Sequence, residues 1–347
     1  MQCGGFRISY RSDERIFDTV TPIIGVLLLI GVLALAPRFA TTYWLDVLNR
    51  IGIAVIGALG LNILVGYTGQ ISIGHAAFLA VGAYATAILE INAGLPFYLA
   101  IPLGALITSG FGLVFGIPSL RLRGLYLAIA TLAAHFITTY GIVHWESLTK
   151  GVLGMMVPPA TVFGMPLDSD ARVFYLIFAL VIPAVFFAKN LFRTRVGRAF
   201  IAIRDRDVAA GVMGVSLYHY KLLAFVISSF YAGVAGGLMA HHSRILFPDS
   251  FTLLVAIDYL AMVIIGGLGS ILGAIFGAIF MTLLPEVLKL GATSLTGVYP
   301  NAFGLIASTR DIVFGLAVIL FLMYEPQGLA RIWLRFRSYW KLWPYAY

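Results

Sequence analysis

The sequence predicts an all-α protein, a polytopic transmembrane helical bundle of about ten membrane segments with both termini in the cytoplasm. Of its 347 residues, 61% are hydrophobic and 11% are charged, whereas soluble domains carry about 25% charged residues. The apolar runs are continuous and reach the roughly 20 residues that a membrane-spanning helix needs. They lack the ten-residue alternation of a membrane β-barrel. Lysine and arginine cluster beside alternate runs, which is typical of cytoplasmic loops.

Ten apolar runs define the predicted segments. Runs three, eight and nine are rich in glycine, so broken or re-entrant helices are expected among them. The first run is predicted to be a retained helix rather than a signal peptide, because it is long for a signal core and Pro37 would follow the cleavage site. The segments are Asp18–Ala36, Asp46–Val65, Ile71–Glu90, Phe97–Ile117, Leu125–Val143, Val173–Lys189, Lys221–Ala240, Thr252–Gly267, Ser270–Leu288 and Asp311–Tyr324.

The positive charges predict an orientation for this bundle. Ten crossings place four basic stretches on one side of the membrane, and their excess of lysine and arginine predicts that this side is the cytoplasm. The predicted domains are a cytoplasmic tail (1–17), a transmembrane domain (18–326) with a cytoplasmic loop at about 190–220, and a basic cytoplasmic tail (327–347). The net charge of +8 arises in these stretches and does not indicate nucleic-acid binding. Their basic residues are Arg7, Arg11, Arg15, Arg121, Arg123, Arg193, Arg195, Arg198, Arg204, Arg206, Arg331, Arg335, Arg337 and Lys341.

The motif content argues against an enzyme. The chain contains no G-x-x-x-x-G-K-[ST], H-E-x-x-H or G-x-S-x-G sequence, so the sequence predicts no ATPase site, catalytic residue, cofactor or metal. Neighbouring residues on a helix do not share a face, so His241 and His242 are expected to be polar residues near the outer surface rather than a ligand pair. With Cys3 as its one cysteine, the chain forms no internal disulfide.

A polar sequence between the second and third runs, GYTGQISIGHAAF, is the first candidate site. In lipid, such polar groups must face the bundle or a wet path, and the interspersed glycines suit a broken helix that lines a cavity. An alternative to a pathway is that these residues only form interhelical hydrogen bonds. Nucleophilic catalysis by Ser72 and His75, which are spaced i,i+3, is the least favoured alternative. The predicted pathway residues here are Asn62, Gly66, Tyr67, Thr68, Gln70, Ser72 and His75.

Asp258, within the eighth run, is a second candidate. A carboxylate in mid-span is costly and usually has a function or a partner, so Asp258 either lines the pathway or fixes packing through an interhelical hydrogen bond. The glycine-rich GGLGS sequence that follows interrupts helix geometry and can expose backbone groups to solute. The pathway prediction therefore includes Gly266, Gly267 and Gly269. The Gly273-x-x-x-Gly277 motif predicts close helix packing.

A short helix is predicted in the charged loop at about 190–220. Asp205 is its expected N-cap, Asp207 lies in its first turn, and Gly214 is its expected left-handed stop. Residues at i,i+4 spacing give it one apolar face. They are Val208 with Val212 and Ala209 with Met213. Such a helix suits a cleft in a soluble partner, and a solvated surface helix is the alternative.

Four sequence runs in colinear order resemble the inner-membrane permease subunits of branched-chain amino acid ABC importers, in particular the longer of the two permeases. They are GYTGQISIGHAAFLAVGAYATAIL, LRLRGLYLAIATL, TRVGRAFIAIRDRDVAAGVMGVSLYHYKLLAFVISSFYAGVAGGLMAHH and PDSFTLLVAIDYLAMVIIGGLGSILGAIFGAIF. The resemblance covers roughly Leu48 to Pro326. It implies a location in the bacterial inner membrane, a second related permease, two cytoplasmic ATP-binding subunits and a periplasmic solute-binding protein.

The resemblance also implies a role for the short helix. Arg204–Gly214 is similar to the coupling loop of such permeases, whose generic pattern is Glu-Ala-Ala, three residues and Gly. Val208 stands at the glutamate position. The residues implied in coupling to the ATPase are Arg204, Asp205, Asp207, Val208, Ala209, Ala210, Gly211 and Gly214. Urea and short-chain amide importers use very similar permeases, so the solute stays open, and an ion-driven secondary transporter is the alternative from another class.

Overall fold

The computed structural model of the protein describes residues 20–119, 122, 124–162, 165–166, 169–295, 312–313, 315–316, 318–321, 323–325 and 327–342. Several sequence predictions lie outside these residues. They concern the N-terminal tail with its three arginines, and the turn residues Arg121 and Arg123.

The described residues form a helical bundle with short connections. Its helices are α1 (Val20–Phe39), α2 (Thr42–Leu61), α3 (His75–Ala93), α4 (Phe97–Ser119), α5 (Leu125–His144), α6 (Asp170–Leu191), α7 (Arg195–Val212), α8 (Leu217–Ser243), α9 (Leu253–Gly266), α10 (Ile271–Leu295) and α11 (Gly328–Leu342). Two short antiparallel pairs join β1 (Met155–Met156) to β4 (Ile245–Leu246) and β2 (Thr161–Val162) to β3 (Met165–Pro166).

Eight helices of the described part are long and apolar enough to cross a membrane. They correspond to the second to ninth predicted runs and confirm the polytopic helical fold. In the first run, a shorter apolar helix covers Ile24–Phe39. In the tenth run, the described positions between 312 and 324 are helical.

Two predicted boundaries differ from those of the structure. α2 begins four residues earlier, at Thr42, and continues through a π-helical turn over Asn62–Tyr67. The third segment begins at His75 rather than Ile71, and in the irregular residues before it Ile73 N bonds to the Thr131 hydroxyl oxygen of another helix. The eighth and ninth runs form two separate long helices, α9 and α10, as their separate apolar runs predicted.

α2 and α8 form the centre of the bundle. α8 packs against α2, α3 and α4, and α2 also packs against α6, α9 and α10. Small residues allow this closeness, since a Cβ on Gly82 of α3 would overlap the backbone of Gly233 on α8. The predicted packing motif behaves in the same way, because a Cβ on Gly277 would overlap the carbonyl oxygen of Met262 on α9.

The connections gather at two ends of the bundle. One end, called the basic end, is formed by residues 68–74, α7 and the turn at 267–270. There, Arg204 Nη1 donates a hydrogen bond to Gly66 O at 3.0 Å. At the opposite, distal end, Asn49 Nδ2 donates to Asp170 O at 3.2 Å, and β1 pairs with β4. The predicted cytoplasmic and outer connections thus separate to opposite ends. Which end faces the cytoplasm remains a prediction from the charges.

Candidate functional site

A cavity of about 760 Å³ opens at the distal end and is called the distal cavity. Faces of four helices line it: Asp46, Arg50, Ile53 and Ala54 of α2, Met239, His242 and Ser243 of α8, Val255, Asp258, Tyr259 and Met262 of α9, and Met281, Thr282, Pro285, Glu286, Leu288 and Lys289 of α10. The α2 and α9 positions recur at i,i+3/i+4 spacing, so a single side of each helix faces the cavity. Asp258 is the one predicted pathway residue among those that line it.

Charged groups of both signs surround the mouth of the distal cavity. Glu286 is 3% exposed and accepts a hydrogen bond from the Tyr43 hydroxyl and bonds of 3.1 Å from Lys289 Nζ to both carboxylate oxygens. Arg50 Nη1 lies 3.6 Å from Glu286 Oε1, and Arg50 also pairs with Asp46 one turn earlier on α2. The carboxylates therefore hold both cations in place at the mouth.

The neighbouring histidines face different partners, as their adjacent positions predict. His241 Nε2 lies 2.9 Å from Glu90 Oε1 of α3, and His242 Nε2 lies 3.1 Å from Asp46 Oδ1 at the cavity mouth. Among the described residues, no group of three metal-ligating side chains occurs.

Apolar side chains form the inner part of the distal cavity. Along α9, Met262 lies four residues beyond Asp258, and along α10, Met281 lies five residues before Glu286. At 1.5 Å per residue, Met262 lies about 6 Å deeper than Asp258, and Met281 lies about 8 Å deeper than Glu286. Ile53 and Ala54 line the cavity from α2. The mouth of the cavity is thus charged, and apolar side chains line much of its deeper part.

Tyr259 separates the distal cavity from the polar sequence that follows α2. Its ring lines the cavity and stands edge-on to the ring of His75, with centroids 5.3 Å apart. A Cβ on Gly57 would overlap this ring, so glycine is required where α2 passes it. His75 Nε2 lies 3.0 Å from Gly57 O, which ties the start of α3 to the same level of α2.

The polar sequence 68–75 returns into the bundle through an irregular segment, residues 69–74. Gln70 Nε2 donates to Lys221 O at 3.2 Å, and Ile73 N donates to the Thr131 hydroxyl oxygen at 3.0 Å. Irregular backbone at membrane depth is tolerated where protein surrounds it. This is the broken segment that the glycines predicted.

Ser72 and His75 do not form a nucleophile and base pair. Ser72 Oγ is buried and has no hydrogen-bond partner within the described part of the chain, so the proximity that nucleophilic catalysis needs is missing. The polar side chains here pack with α5 and α8 instead.

The π-helical turn at the end of α2 is bound to the turn between α9 and α10. Asn62 Nδ2 donates to Ser270 O at 2.8 Å, and Gly269 N donates to Asn62 Oδ1 at 2.9 Å. A Cβ on Gly66 would overlap both Asn62 Oδ1 and Gly269 N. We call these two hydrogen bonds the Asn62 clamp. The predicted pathway residues Asn62, Gly66 and Gly269 thus meet, whereas Asp258 lies apart at the distal end.

α7 carries the predicted coupling residues, but its geometry differs from the expectation. A single helix runs from Arg195 to Val212 and is broken at Arg206, whose φ of −155° and ψ of 94° are extended. Arg206 therefore takes the N-cap position of the second part of the helix, and the prediction that Asp205 caps it was wrong. Asp205 Oδ1 instead accepts a bond of 3.1 Å from Arg204 Nε, and this local partner competes with a capping role.

The other end of α7 agrees with the prediction. Gly214 has a φ of +86°, Val215 N donates to Ala210 O, and Gly214 N donates to Gly211 O. These are the two bonds of a Schellman motif. The apolar face is exposed, with Val208 at 67%, Val212 at 83% and Met213 at 84%.

A smaller polar cavity of about 290 Å³ lies between α7 and the sequence 68–70. Arg204, Asp207 and Lys221 line it, and Lys221 Nζ lies 3.6 Å from Asp207 Oδ2. Arg204 also contacts Gly66 O through Nη1 at 3.0 Å. The predicted coupling residues and the start of the predicted pathway therefore share one surface.

The sequence prediction missed the charged mouth of the distal cavity. Glu286 lies within the ninth apolar run, so the argument that singled out Asp258 would have found it as well. Arg50 and Lys289 carried no such signal, because basic residues near helix ends are common in membrane proteins.

Residues 43–322 match the family described as the permease component of the branched-chain amino acid transport system. The high-affinity branched-chain amino acid transport system permease protein LivM of Salmonella typhimurium is 31% identical, over 90% of this chain and 76% of its own length. LivM of Escherichia coli is 30% identical, over 87% and 74%. The probable branched-chain amino acid transport permease protein LivH of Methanocaldococcus jannaschii is 25% identical, over 78% and 84%.

Proposed function

Because the chain belongs to the permease component family of branched-chain amino acid transport systems, we propose that it is the membrane subunit of an ATP-driven importer for these amino acids. The observation that carries the proposal is the family match over residues 43–322, which includes α7 and every helix that lines the distal cavity. The protein is a multi-pass protein of the inner membrane, and its role is transport rather than catalysis.

The importer contains a second, related permease, two ATP-binding subunits and a periplasmic binding protein. The relationship to both a LivM and a LivH protein supports a pair of homologous permeases. The ATP-binding subunit docks on α7, where exposed apolar residues follow the break at Arg206. Exposed apolar side chains in a patch are typical of interaction sites.

Transport proceeds by alternating access to the distal cavity. ATP binding in the partner moves α7, and Arg204 transmits the movement to the π-helical turn through its bond to Gly66 O. The Asn62 clamp passes it to the turn between α9 and α10. α9 carries Tyr259, so its displacement opens the barrier between the distal cavity and His75. The route follows the hydrogen bonds that link α7 to the turn before α10, and measured coupling in variants along it is the test.

Reconstitution of the complete importer tests the proposal. Liposomes with enclosed ATP and external binding protein are expected to accumulate radiolabelled leucine, and a proton or sodium ionophore is expected to leave the rate unchanged. Accumulation without ATP that ionophores abolish would instead identify an ion-driven transporter. Uptake of urea or acetamide in place of leucine would identify the amide importer alternative.

A further inference from the structure

We propose that a groove between α10 and α11 binds an anionic phospholipid of the leaflet at the basic end, with an acyl chain along α10 and the headgroup beside the arginines of α11. The groove, called the lateral groove, has a volume of about 1030 Å³, and the described residues that line it are all apolar. α11 lies beyond residues 43–322, the part that matches the permease family. A lipid site here therefore depends on the membrane location of the chain and not on the solute that it carries.

One face of α10 forms the long wall of the lateral groove. Its lining residues recur at i,i+3/i+4 spacing, as expected for one side of a helix. From Phe276 to Val287 this wall is about 16 Å long at 1.5 Å per residue. One leaflet of the hydrocarbon core is about 15 Å thick, half of the usual 30 Å or so. The groove thus has the length that an acyl chain of one leaflet occupies. The α10 residues are Phe276, Ile279, Phe280, Leu283, Leu284 and Val287.

α11 closes the basic end of the lateral groove and has an apolar and a basic side. The ring of Trp333 stands edge-on to that of Phe276 of α10, with centroids 5.9 Å apart. Arg331 and Arg335, one turn apart on α11, are exposed and do not line the groove. Such a helix is typical of the membrane interface, where its apolar side meets the acyl chains and its basic side meets the headgroups. The α11 residues that line the groove are Leu329, Ile332, Trp333 and Phe336.

The start of α11 is held against the turn between α9 and α10. A Cβ on Gly328 would lie 2.5 Å from Gly267 N, and a Cβ on Gly267 would lie 2.7 Å from Gln327 O. Arg335 Nη2 also donates to Glu325 Oε1 at 2.9 Å. This ion pair leaves Arg335 further donors for a phosphate, because a guanidinium carries five. The helix that would carry the headgroup is therefore already in place beside α10.

The charge of α11 favours an anionic over a zwitterionic phospholipid. Each lysine or arginine close to a membrane surface raises the affinity for anionic lipid about fivefold. Arg331 and Arg335 present guanidiniums, which match phosphate with paired donors. Arg337 and Lys341 add positive charge further along the same helix. In phosphatidylcholine the ammonium of the headgroup compensates the phosphate charge, whereas phosphatidylglycerol retains it.

Native mass spectrometry of the full-length protein tests the site. The protein is released from mixed micelles that contain equal amounts of dioleoyl phosphatidylglycerol and dioleoyl phosphatidylcholine, and the lipids that remain bound are counted. It is expected to retain at least fivefold more phosphatidylglycerol than phosphatidylcholine. Equal retention of the two lipids, or retention of neither, overturns the proposal.

Two double variants test the headgroup contact. Arg331→Gln combined with Arg335→Gln is expected to lower the bound phosphatidylglycerol at least fivefold and to leave the bound phosphatidylcholine unchanged. Arg195→Gln combined with Arg198→Gln is the matched control, because it removes two exposed arginines from α7 at the same end and away from the lateral groove. The control is expected to retain both lipids as the unaltered protein does. An equal loss of phosphatidylglycerol in the two double variants would show a general effect of charge and overturn the site.

A pair of tryptophan variants tests the position of the acyl chain. Leu283→Trp fills the middle of the lateral groove and is expected to lower the bound phosphatidylglycerol at least threefold. Leu113→Trp makes the same change at an exposed position of α4, away from the groove, and is expected to have no effect. Phosphatidylglycerol retention that Leu283→Trp leaves unchanged would mean that the lipid binds elsewhere and would overturn the proposal.

Discussion

Replacing Gly57 by alanine tests whether Tyr259 closes the inner end of the distal cavity. A Cβ at residue 57 would lie 2.5 Å from Tyr259 Cε1 and 2.9 Å from its Cζ, whereas carbon atoms in contact are about 3.5–4.0 Å apart. The ring must therefore retreat by about 1 Å. Overpacking of this kind costs about 1–3 kcal/mol, and displacing the ring alters its packing against His75.

Gly52→Ala is a matched control on the same helix. Its Cβ would lie 2.5 Å from Ile177 Cγ2 of α6, so it adds the same methyl group with a similar overlap away from Tyr259. Both variants are expected to lower the thermal unfolding temperature of the purified importer. A displaced barrier predicts a solute leak in the Gly57 variant alone.

The assay is the efflux of enclosed radiolabelled leucine from proteoliposomes without ATP. Gly57→Ala is expected to raise the efflux rate at least severalfold, while Gly52→Ala releases leucine at the rate of the unaltered importer. An unchanged rate for Gly57→Ala, or an equal increase in both variants, refutes the reasoning that Tyr259 is the barrier.

Three further predictions concern the basic end. Gly214→Val places a β-branched residue at a φ of +86° and is expected to uncouple ATP hydrolysis from leucine uptake. Gly214→Asn is expected to have a much milder effect, because asparagine tolerates this backbone conformation. Similar uptake in both variants would contradict the prediction. Val212→Lys puts a charge on the exposed face of α7 and is expected to reduce copurification of the ATP-binding subunits at least fivefold. Val152→Lys, at a residue that is also exposed but lies at the distal end, is expected to leave copurification intact, and equal losses would argue against docking at α7. Asn62→Ala removes two hydrogen bonds worth about 1 kcal/mol each. It is expected to lower the unfolding temperature more than Asn49→Ala, which removes one hydrogen bond, and to reduce the number of leucine molecules transported per ATP. An unchanged ratio of leucine to ATP would show that the Asn62 clamp is only structural.

The sequence was sufficient for features that depend on local chemistry. Continuous apolar runs predicted the eight long helices, because a bilayer demands that length and hydrophobicity. Gly214 was predicted as a left-handed stop and adopts that conformation, since few other residues populate it. The glycines around residue 70 correctly indicated a break between α2 and α3.

The sequence was insufficient where partners come from distant parts of the chain. Tyr43 and Glu286 meet at the cavity mouth although 243 residues separate them, and no local pattern predicts such a pair. The helix break at Arg206 rather than Asp205 has the same origin, because Arg204 is held by Gly66 on another helix and Asp207 lies beside Lys221. Tertiary contacts thus overrode the capping preference of the aspartate.

The irregular chain between α2 and α3 has a consequence for biosynthesis. Its backbone and side-chain polar groups bond to Thr131 and to the carbonyl of Lys221, and lipid offers no substitute for either partner. When the ribosome has completed only α2 and α3, these groups have not yet met their partners. We therefore expect α2 and α3 to reach their final packing only after translation has passed Lys221, so that maturation of the early segments waits for the later ones.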